Sequence, residues 1–242
     1  MTKVTVIIPA LNEAGNICQL VEEVRAAASV DVIVVDNNST DTTAQEARQT
    51  GAEVVYEPRR GYGYACAAGV SAADGADVLA FMDGDYSYSP SDLPSLLTPI
   101  SDGRADLVLG SRELGSITPG SMPVSQRFGN WLVSRMMNAL YGISITDLGP
   151  YRAIRRQLLM ELDMQEMTYG WPTEMIVKAA RRKVQILEVP VSYRSRRSGK
   201  SKVSGTVRGT LLAAWFILRV TFRYVWKGHP EEPGRRDNFL IL

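Results

Sequence analysis

Histidine is almost missing from this chain: a single residue, His229 in a polar C-terminal stretch, serves all 242 positions. That shortage excludes a histidine-dependent catalytic triad and a histidine-rich zinc site. Cysteine is nearly as scarce. Cys18 and Cys66 form no C-x-x-C pair, and they read as reduced, buried thiols of a cytoplasmic protein. An excess of charge is lacking too. The formal net charge is +1, so no global field favours nucleic acid. No leader-like segment is expected, because an apolar strand pattern begins at Val4. Neither a G-x-G-x-x-G nor a Walker A sequence occurs, which disfavours a nicotinamide dinucleotide or P-loop site. There is no internal repeat and no low-complexity segment.

What the chain does have is a succession of short apolar runs that end in acids. Val78-Leu79-Ala80-Phe81-Met82 leads straight into Asp83-Gly84-Asp85. A run of this kind suits a strand buried on both faces. Its two carboxylates emerge together and can share a divalent cation, which takes oxygen ligands and leaves positions for phosphate. A solvated Asp-Gly-Asp turn is the plain alternative. Val4 to Ile8 reads as a first strand, ended by Pro9, and Val32 to Val35 as a second, delivering Asp36. Val54 to Tyr56 reads as a third. Helices are expected between them over about 15–28, up to Gln49, and from the Gly61-Tyr62-Gly63 loop to about Ala73. Strands alternating with helices imply right-handed crossovers and a mostly parallel sheet. Such sheets bind ligands outside the carboxyl ends of their strands, where residues 9–13, Asp36, Asp83, Asp85 and Arg112 fall.

The second half is less regular. Leu107 to Leu109 reads as a strand running into Gly110-Ser111-Arg112, followed by a Gly-, Ser- and Pro-rich flap to Pro123. Helices are expected over 124–141, with Arg127 and Arg135 among apolar residues, and over 172–182, with Pro172 in the first turn. A strand is expected over 184–191 and a strongly basic segment over 193–202. The helix of 206–226 is interrupted by Arg208, Arg219 and Arg223. Its uninterrupted apolar core, Leu211 to Leu218, falls far short of the ~20 residues of a membrane span. It reads either as an amphipathic helix on a membrane surface or as a helix packed on the domain or at a dimer contact.

Several stretches together resemble family 2 inverting glycosyltransferases, which have the GT-A fold. They are Val6-Ile7-Ile8-Pro9-Ala10-Leu11-Asn12-Glu13, Val34-Val35-Asp36-Asn37-Asn38-Ser39-Thr40-Asp41 and Phe81-Met82-Asp83-Gly84-Asp85. Gly110-Ser111-Arg112, Asp147-Leu148-Gly149-Pro150-Tyr151-Arg152-Ala153, Glu188-Val189-Pro190 and Gly199-Lys200-Ser201-Lys202 resemble the dolichol-phosphate mannose synthase and polyprenyl-phosphate glycosyltransferase branch. The resemblance implies a GT-A domain over 1–205, an amphipathic helix over 206–228 and a flexible tail over 229–242. It implies that Pro9, Leu11, Glu13, Val34 and Asp36 hold the base and ribose of a nucleotide-diphosphate sugar. Asp83 and Asp85, with Gly84 between, would hold Mg2+ or Mn2+ against the diphosphate. Arg112 would meet phosphate near the reacting centre. Arg196 and Lys202 would close over the diphosphate, and Arg127, Arg112 and Lys202 would serve the acceptor phosphate.

That acceptor would be a polyprenyl phosphate met at the cytoplasmic membrane face, with a second copy or a membrane protein as a further partner. A lipid phosphate is already an anion and needs no general base. A hydroxyl acceptor would need one, and Glu174, in the first turn of its helix, is the candidate. Trp171 reads as a stacking residue or a packing one. Arg152, Arg155 and Arg156 would face phosphate or water. A non-catalytic nucleotide-sugar-binding regulatory partner is the reading of another class. Tyr86 to Pro90 stands where the mannose synthases usually carry a Gln-containing segment, which leaves the sugar open.

Overall fold

The computed structural model describes residues 2–197 and 207–225. Among these residues seven strands form one sheet in the order β3-β2-β1-β4-β6-β5-β7. The first half alternates strand and helix: β1 (Val4–Ala10), α1 (Ala14–Ala27), β2 (Asp31–Asp36), α2 (Thr43–Gln49), β3 (Glu53–Tyr56), α3 (Tyr62–Ala72) and β4 (Val78–Phe81). These four strands are mutually parallel, with Ala10 opposite Asp36 and Ile7 opposite Phe81. Their carboxyl ends therefore share one edge, as the alternating pattern implies.

Period-two alternation divides the core between the two faces. Ile7, Ile33, Leu79 and Phe81 face one layer, with Cys66 and Val70 of α3 and Met175 and Ile176 of α7 (Trp171–Arg181). Val6, Ile8, Val34 and Ala80 face the other, against Ile17, Leu20, Val21 and Val24 of α1. Those four side chains follow helical spacing, so α1 presents one apolar stripe to the sheet.

The second half departs from simple alternation. A 3-10 turn (Pro90–Asp92) leads into α4 (Leu93–Ser101), which carries Pro94 near its start and Pro99 inside. After β5 (Leu107–Ile117) and α5 (Val124–Tyr141), β6 (Arg152–Arg155) enters between β4 and β5 and runs antiparallel to both. A reversed strand begins at the edge where its neighbours end. The segment 147–151 is thereby delivered to the same edge as Asp83. Next come α6 (Arg156–Leu162), α7, the edge strand β7 (Ile186–Tyr193), parallel to β5, and α8 (Val207–Arg223).

The Gly- and Ser-rich stretch after Arg112 is not a flap throughout. β5 continues to Ile117, and Ser116 and Ile117 pair with Ser192 and Tyr193 after a register irregularity. Gly115 explains this. A Cβ there would lie 2.1 Å from the Val191 carbonyl oxygen, so the glycine permits two backbones to meet at a bulge. Only 118–123 remains as a loop. α8 is packed on one side: Val220, Thr221 and Tyr224 are buried, Tyr141 Oη donates to the Thr221 carbonyl, and Arg181 Nη1 donates to the Tyr224 carbonyl at 3.0 Å. Trp215 and Phe222 remain exposed. The tail assigned to 229–242 lies outside the described residues.

Close packing at Gly63 is testable. A Cβ there would sit 2.5 Å from the Glu166 carbonyl oxygen and the Met167 Cα, and backbone does not yield cheaply. Gly63→Ala is expected to cost about 1–3 kcal/mol and to lower Tm by roughly 2–4 °C per kcal/mol. Gly129, inside α5 with nothing within 4 Å of a Cβ, provides the contrast. Gly129→Ala should hold or raise Tm in the same melts.

Candidate active site

The acid pair stands on the carboxyl end of β4. The ladder with β1 continues beyond the strand, Met82 N donating to Ile7 O and Gly84 N to Pro9 O. Gly84 is buried, and a Cβ on it would lie 3.1 Å from the Pro9 oxygen. The strand end is thus clamped against Pro9 and Ala10. Asp85 is only 5% exposed. Its Oδ1 accepts from Ser87 N at 3.0 Å, and its Oδ2 meets Arg196 Nη2 at 2.8 Å. Asp83 Oδ1 is buried without a hydrogen-bond partner among the described residues. Burial and then the neighbouring Asp85 charge raise the Asp83 carboxyl to about 7, against the lowering influence of Arg196.

An orphaned carboxylate oxygen beside a second acid is what a divalent cation would satisfy. Asp83 and Asp85 therefore fit the expected Mg2+ or Mn2+. Among the described residues no group of three or more Asp, Glu, His or Cys side chains is placed to hold a metal ion. A cation here would rest on two carboxylates and draw its other oxygens from ligand or water.

Two further strand ends converge on this point. Glu13, at the start of α1, receives Asn16 Nδ2 at 2.8 Å, and its Oε1 lies 3.7 Å from Arg196 Nη1. One guanidinium thus bridges Glu13 and Asp85. Asp36, buried at the end of β2, caps the next turn by accepting from Ser39 N at 3.0 Å. Pro9 and Leu11 are half-buried at the end of β1. Val34 is different. It is fully buried in the α1-side core, so its side chain packs the sheet and does not meet a nucleotide. Lys202 lies outside the described residues.

The segment after β7 is pinned to the acid loop. Arg194 N donates to Ser87 O, Arg194 Nε to Tyr86 O, and the Arg194 guanidinium covers the Tyr86 ring at 4.2 Å. Tyr86 itself has φ +62°, a left-handed backbone unusual for a bulky residue, directly after Asp85. Tyr193 sits among Asp83, Asp85, Arg112 and Arg196, and burial raises its phenol. The sequence pattern puts Tyr193 at the start of a basic segment and marks no site role for it. Its signal is its position at the end of a strand.

Arg112 is 7% exposed and bound to Asp147. Its backbone N and Nε donate to Asp147 Oδ2 at 2.7 Å, and its Nη2 donates to Oδ1 at 2.6 Å. Burial pushes the Asp147 carboxyl up, but the bonds and charge of Arg112 outweigh it and hold the group below the usual aspartate value. Asp147 N in turn donates to Glu188 Oε1 at 3.0 Å. The Arg112 guanidinium also lies 5.2 Å from the Tyr193 ring centre. The expected phosphate ligand is therefore a pre-oriented, half-neutralised cation. Arg127, on α5, is paired with Glu113 at 2.7 Å, one residue beyond Arg112.

Arg152 does not face water. It is buried and donates to the carbonyls of Pro172 at 2.7 Å, Gly149 at 2.5 Å and Leu148 at 3.3 Å. Arg155, at the opposite end of β6, pairs with Asp106 at 3.2 Å. Trp171 is a buried packing residue.

Glu174 requires a correction. Its carboxylate is 0% exposed. Oε2 accepts from the backbone N of Gln165 and Glu166 at 2.9 and 2.7 Å. Oε1 accepts from Tyr224 Oη at 2.6 Å and meets Lys178 Nζ at 3.0 Å. Burial raises the carboxyl, but these donors outweigh burial and hold it low. Four donors occupy the four lone-pair sites of a carboxylate, so none is offered to a substrate hydroxyl. Glu174 ties the 165–166 loop and α8 to α7.

Two measurements follow from these contrasts. Asp83→Asn removes one of two facing anions. The Asp83 carboxyl is raised on folding, so its stabilising share is complete below about pH 4 and is lost as pH rises through about 7. In chelator, the variant should therefore melt higher than the parent at pH 8, by at least ~2 °C, with a smaller gain at pH 5. It should also lose the Mn2+-induced rise in Tm. Glu174→Gln should cost about 1–3 kcal/mol in denaturant titrations, while turnover of the folded protein stays within a few-fold. A turnover collapse at full stability would restore the base role.

Comparison with known proteins agrees with this geometry. Residues 5–163 match the family model described as glycosyl transferase family 2. An uncharacterised glycosyltransferase of Mycobacterium tuberculosis is 39% identical over 210 residues, covering 87% of this chain and 94% of its own length. The undecaprenyl-phosphate mannosyltransferase of Micrococcus luteus is 34% identical over 220 residues, covering 86% and 90%. Among solved structures, glucosyl-3-phosphoglycerate synthase from Mycobacterium tuberculosis, in complex with Mn2+, uridine diphosphate and phosphoglyceric acid, is similar with a TM-score of 0.73 at 21% identity. That similarity covers 95% of this chain and 80% of the other, and speaks for the fold. With the sheet order, the strand-end acids and these matches in agreement, the chain is a glycosyltransferase of the GT-A fold and belongs to glycosyl transferase family 2.

Proposed function

We propose that this glycosyltransferase moves a sugar from a nucleotide-diphosphate sugar to a polyprenyl phosphate, with inversion at the anomeric carbon. Glu13 and Asp36, with Pro9 and Leu11, receive the nucleoside at the ends of β1 and β2. Asp83 and Asp85 hold a divalent cation, which when bound supplies positive charge to the leaving diphosphate. Arg196 stands over the same acids, placed to exchange Asp85 for a diphosphate oxygen. Arg112, fixed by Asp147, and Arg127, fixed by Glu113, orient the acceptor phosphate. An acceptor oxygen attacks the anomeric carbon from the face opposite the diphosphate. The carbon–oxygen bond to the diphosphate breaks, and its electron pair leaves with that group. Arg196, together with a cation held by the two acids, would stabilise this charge.

The observation that carries the choice of acceptor is the sequestration of Glu174. With that carboxylate committed internally, an acceptor that arrives already ionised is favoured over a hydroxyl needing a base. The name of the Micrococcus relative points the same way. Among the described residues no helix is long and apolar enough to cross a membrane. Contact with the cytoplasmic membrane face would be peripheral, through exposed side chains such as Trp215 and Phe222 of α8.

The deciding assay supplies radiolabelled nucleotide sugars, Mn2+ and undecaprenyl phosphate, with 3-phosphoglycerate as the competing acceptor. Label should pass to the lipid, and Asp85→Asn should lower the rate by at least roughly 100-fold. Transfer to 3-phosphoglycerate alone would overturn the lipid reading.

A further inference from the structure

A cavity of about 610 Å³ lies between α5 and the segment 144–146. Val124, Phe128 and Trp131 line it from α5 at positions i, i+4 and i+7, one stripe of the helix, and Ile145 lines it from across. Phe128 and Trp131 stack with ring centres 5.7 Å apart, yet are 60% and 53% exposed. Val124 is exposed as well. Large apolar side chains gathered at a surface cavity mark a binding site. The walls are fixed. Asn138 holds both the N and the O of Ile145 at 2.9 Å, and Asn130 accepts from Leu148 N at 3.0 Å.

The two ends of the cavity differ. One end is formed by Glu113, Arg127 and Thr146; Glu113 and Thr146 are chain neighbours of the bonded pair Arg112 and Asp147, and Arg127 is the ion-pair partner of Glu113. The other end is formed by Arg135, Asn138 and Ser144. From Val124 to Asn138 the helix wall is roughly 21 Å long at 1.5 Å per residue. An apolar trough whose inner end opens beside a phosphate-orienting arginine matches a ligand with an anionic head and an apolar tail.

We propose that this groove binds the apolar chain of a prenyl phosphate, with the first isoprene units against Phe128, Trp131 and Ile145 and the phosphate at the Arg112 and Arg127 end. The inference rests on the acceptor reading given above and deepens it. Glu113 half-neutralises Arg127, so the chain, more than the phosphate, supplies the affinity. The acceptor is then selected by its hydrocarbon.

Farnesyl phosphate is the probe, with farnesol and inorganic phosphate beside it, in equilibrium dialysis against the full chain, Phe128→Ala and Trp131→Ala. Both side chains are exposed, and melts report whether each variant is folded. Wild type should bind farnesyl phosphate best, farnesol more weakly and inorganic phosphate hardly at all. Each variant should lose roughly tenfold or more in farnesyl phosphate affinity, while the Tm rise with nucleotide sugar and Mn2+ is kept. Unchanged affinity in both variants overturns the proposal. Loss of flotation on phosphatidylglycerol vesicles in those same variants would then assign the face to the bilayer. Binding that the variants abolish, in a protein that transfers no sugar to undecaprenyl phosphate, would retain the groove and refute the acceptor reading instead.

Discussion

Two carboxylates held close at the end of a buried strand are the constraint around which this molecule is arranged. β4 is covered on both faces, so Asp83 and Asp85 cannot separate without breaking the ladder to β1. Their mutual repulsion must be answered by positive charge. Among the described residues Arg196 gives part of that answer, at 2.8 Å from Asp85, while one oxygen of Asp83 stays unanswered. The site is held in a state of electrostatic need that a cation and a diphosphate can fill together. This is how binding sites commonly relate to stability: the groups that recognise the ligand are the ones the fold would prefer to neutralise.

The first half of this architecture was legible because its physics is local. Runs of Val and Ile of four or five residues, punctuated by Pro9, Asp36 and Gly51, read directly as buried strands, and their ends follow. β6 was not legible. Four residues, two of them arginine, carry no strand pattern, and Arg152 is buried only because three backbone carbonyls from 148, 149 and 172 converge on it. α4 was hidden by its two prolines. Of the site, the acids, Glu13, Arg112 and Arg196 were visible through spacing and resemblance. Tyr193 and the anchoring role of Asp147 were not, since both depend on tertiary pairing. Val34 and Glu174 show the reverse error. The resemblance places Val34 at the nucleoside and the first helical turn marks Glu174 as a candidate base, whereas both side chains turn into the interior.

Glu174 also illustrates why a carboxylate in a helix's first turn is weak grounds for a catalytic role. The same position suits the helix dipole and the capping of neighbouring backbone. Here it joins three elements, the 165–166 loop, α7 and α8, through four bonds. The Gly63 contact with Met167 shows that the same loop also presses on α3. A chain of packing thus runs from α8 to the helix beneath Asp83, independent of any ligand.

The edge strand β7 has a role that its place at the margin of the sheet conceals. Near its beginning Glu188 grips the backbone of Thr146 and Asp147, and through them Arg112. At its end Tyr193 and the residues just after it grip the loop of the acid pair. Under the proposed assignment, both halves of the reaction centre are therefore mounted on one rail. The gap between donor and acceptor is gauged by a single stretch of extended backbone, and a slide of that strand would carry the two substrates in step rather than drive them apart.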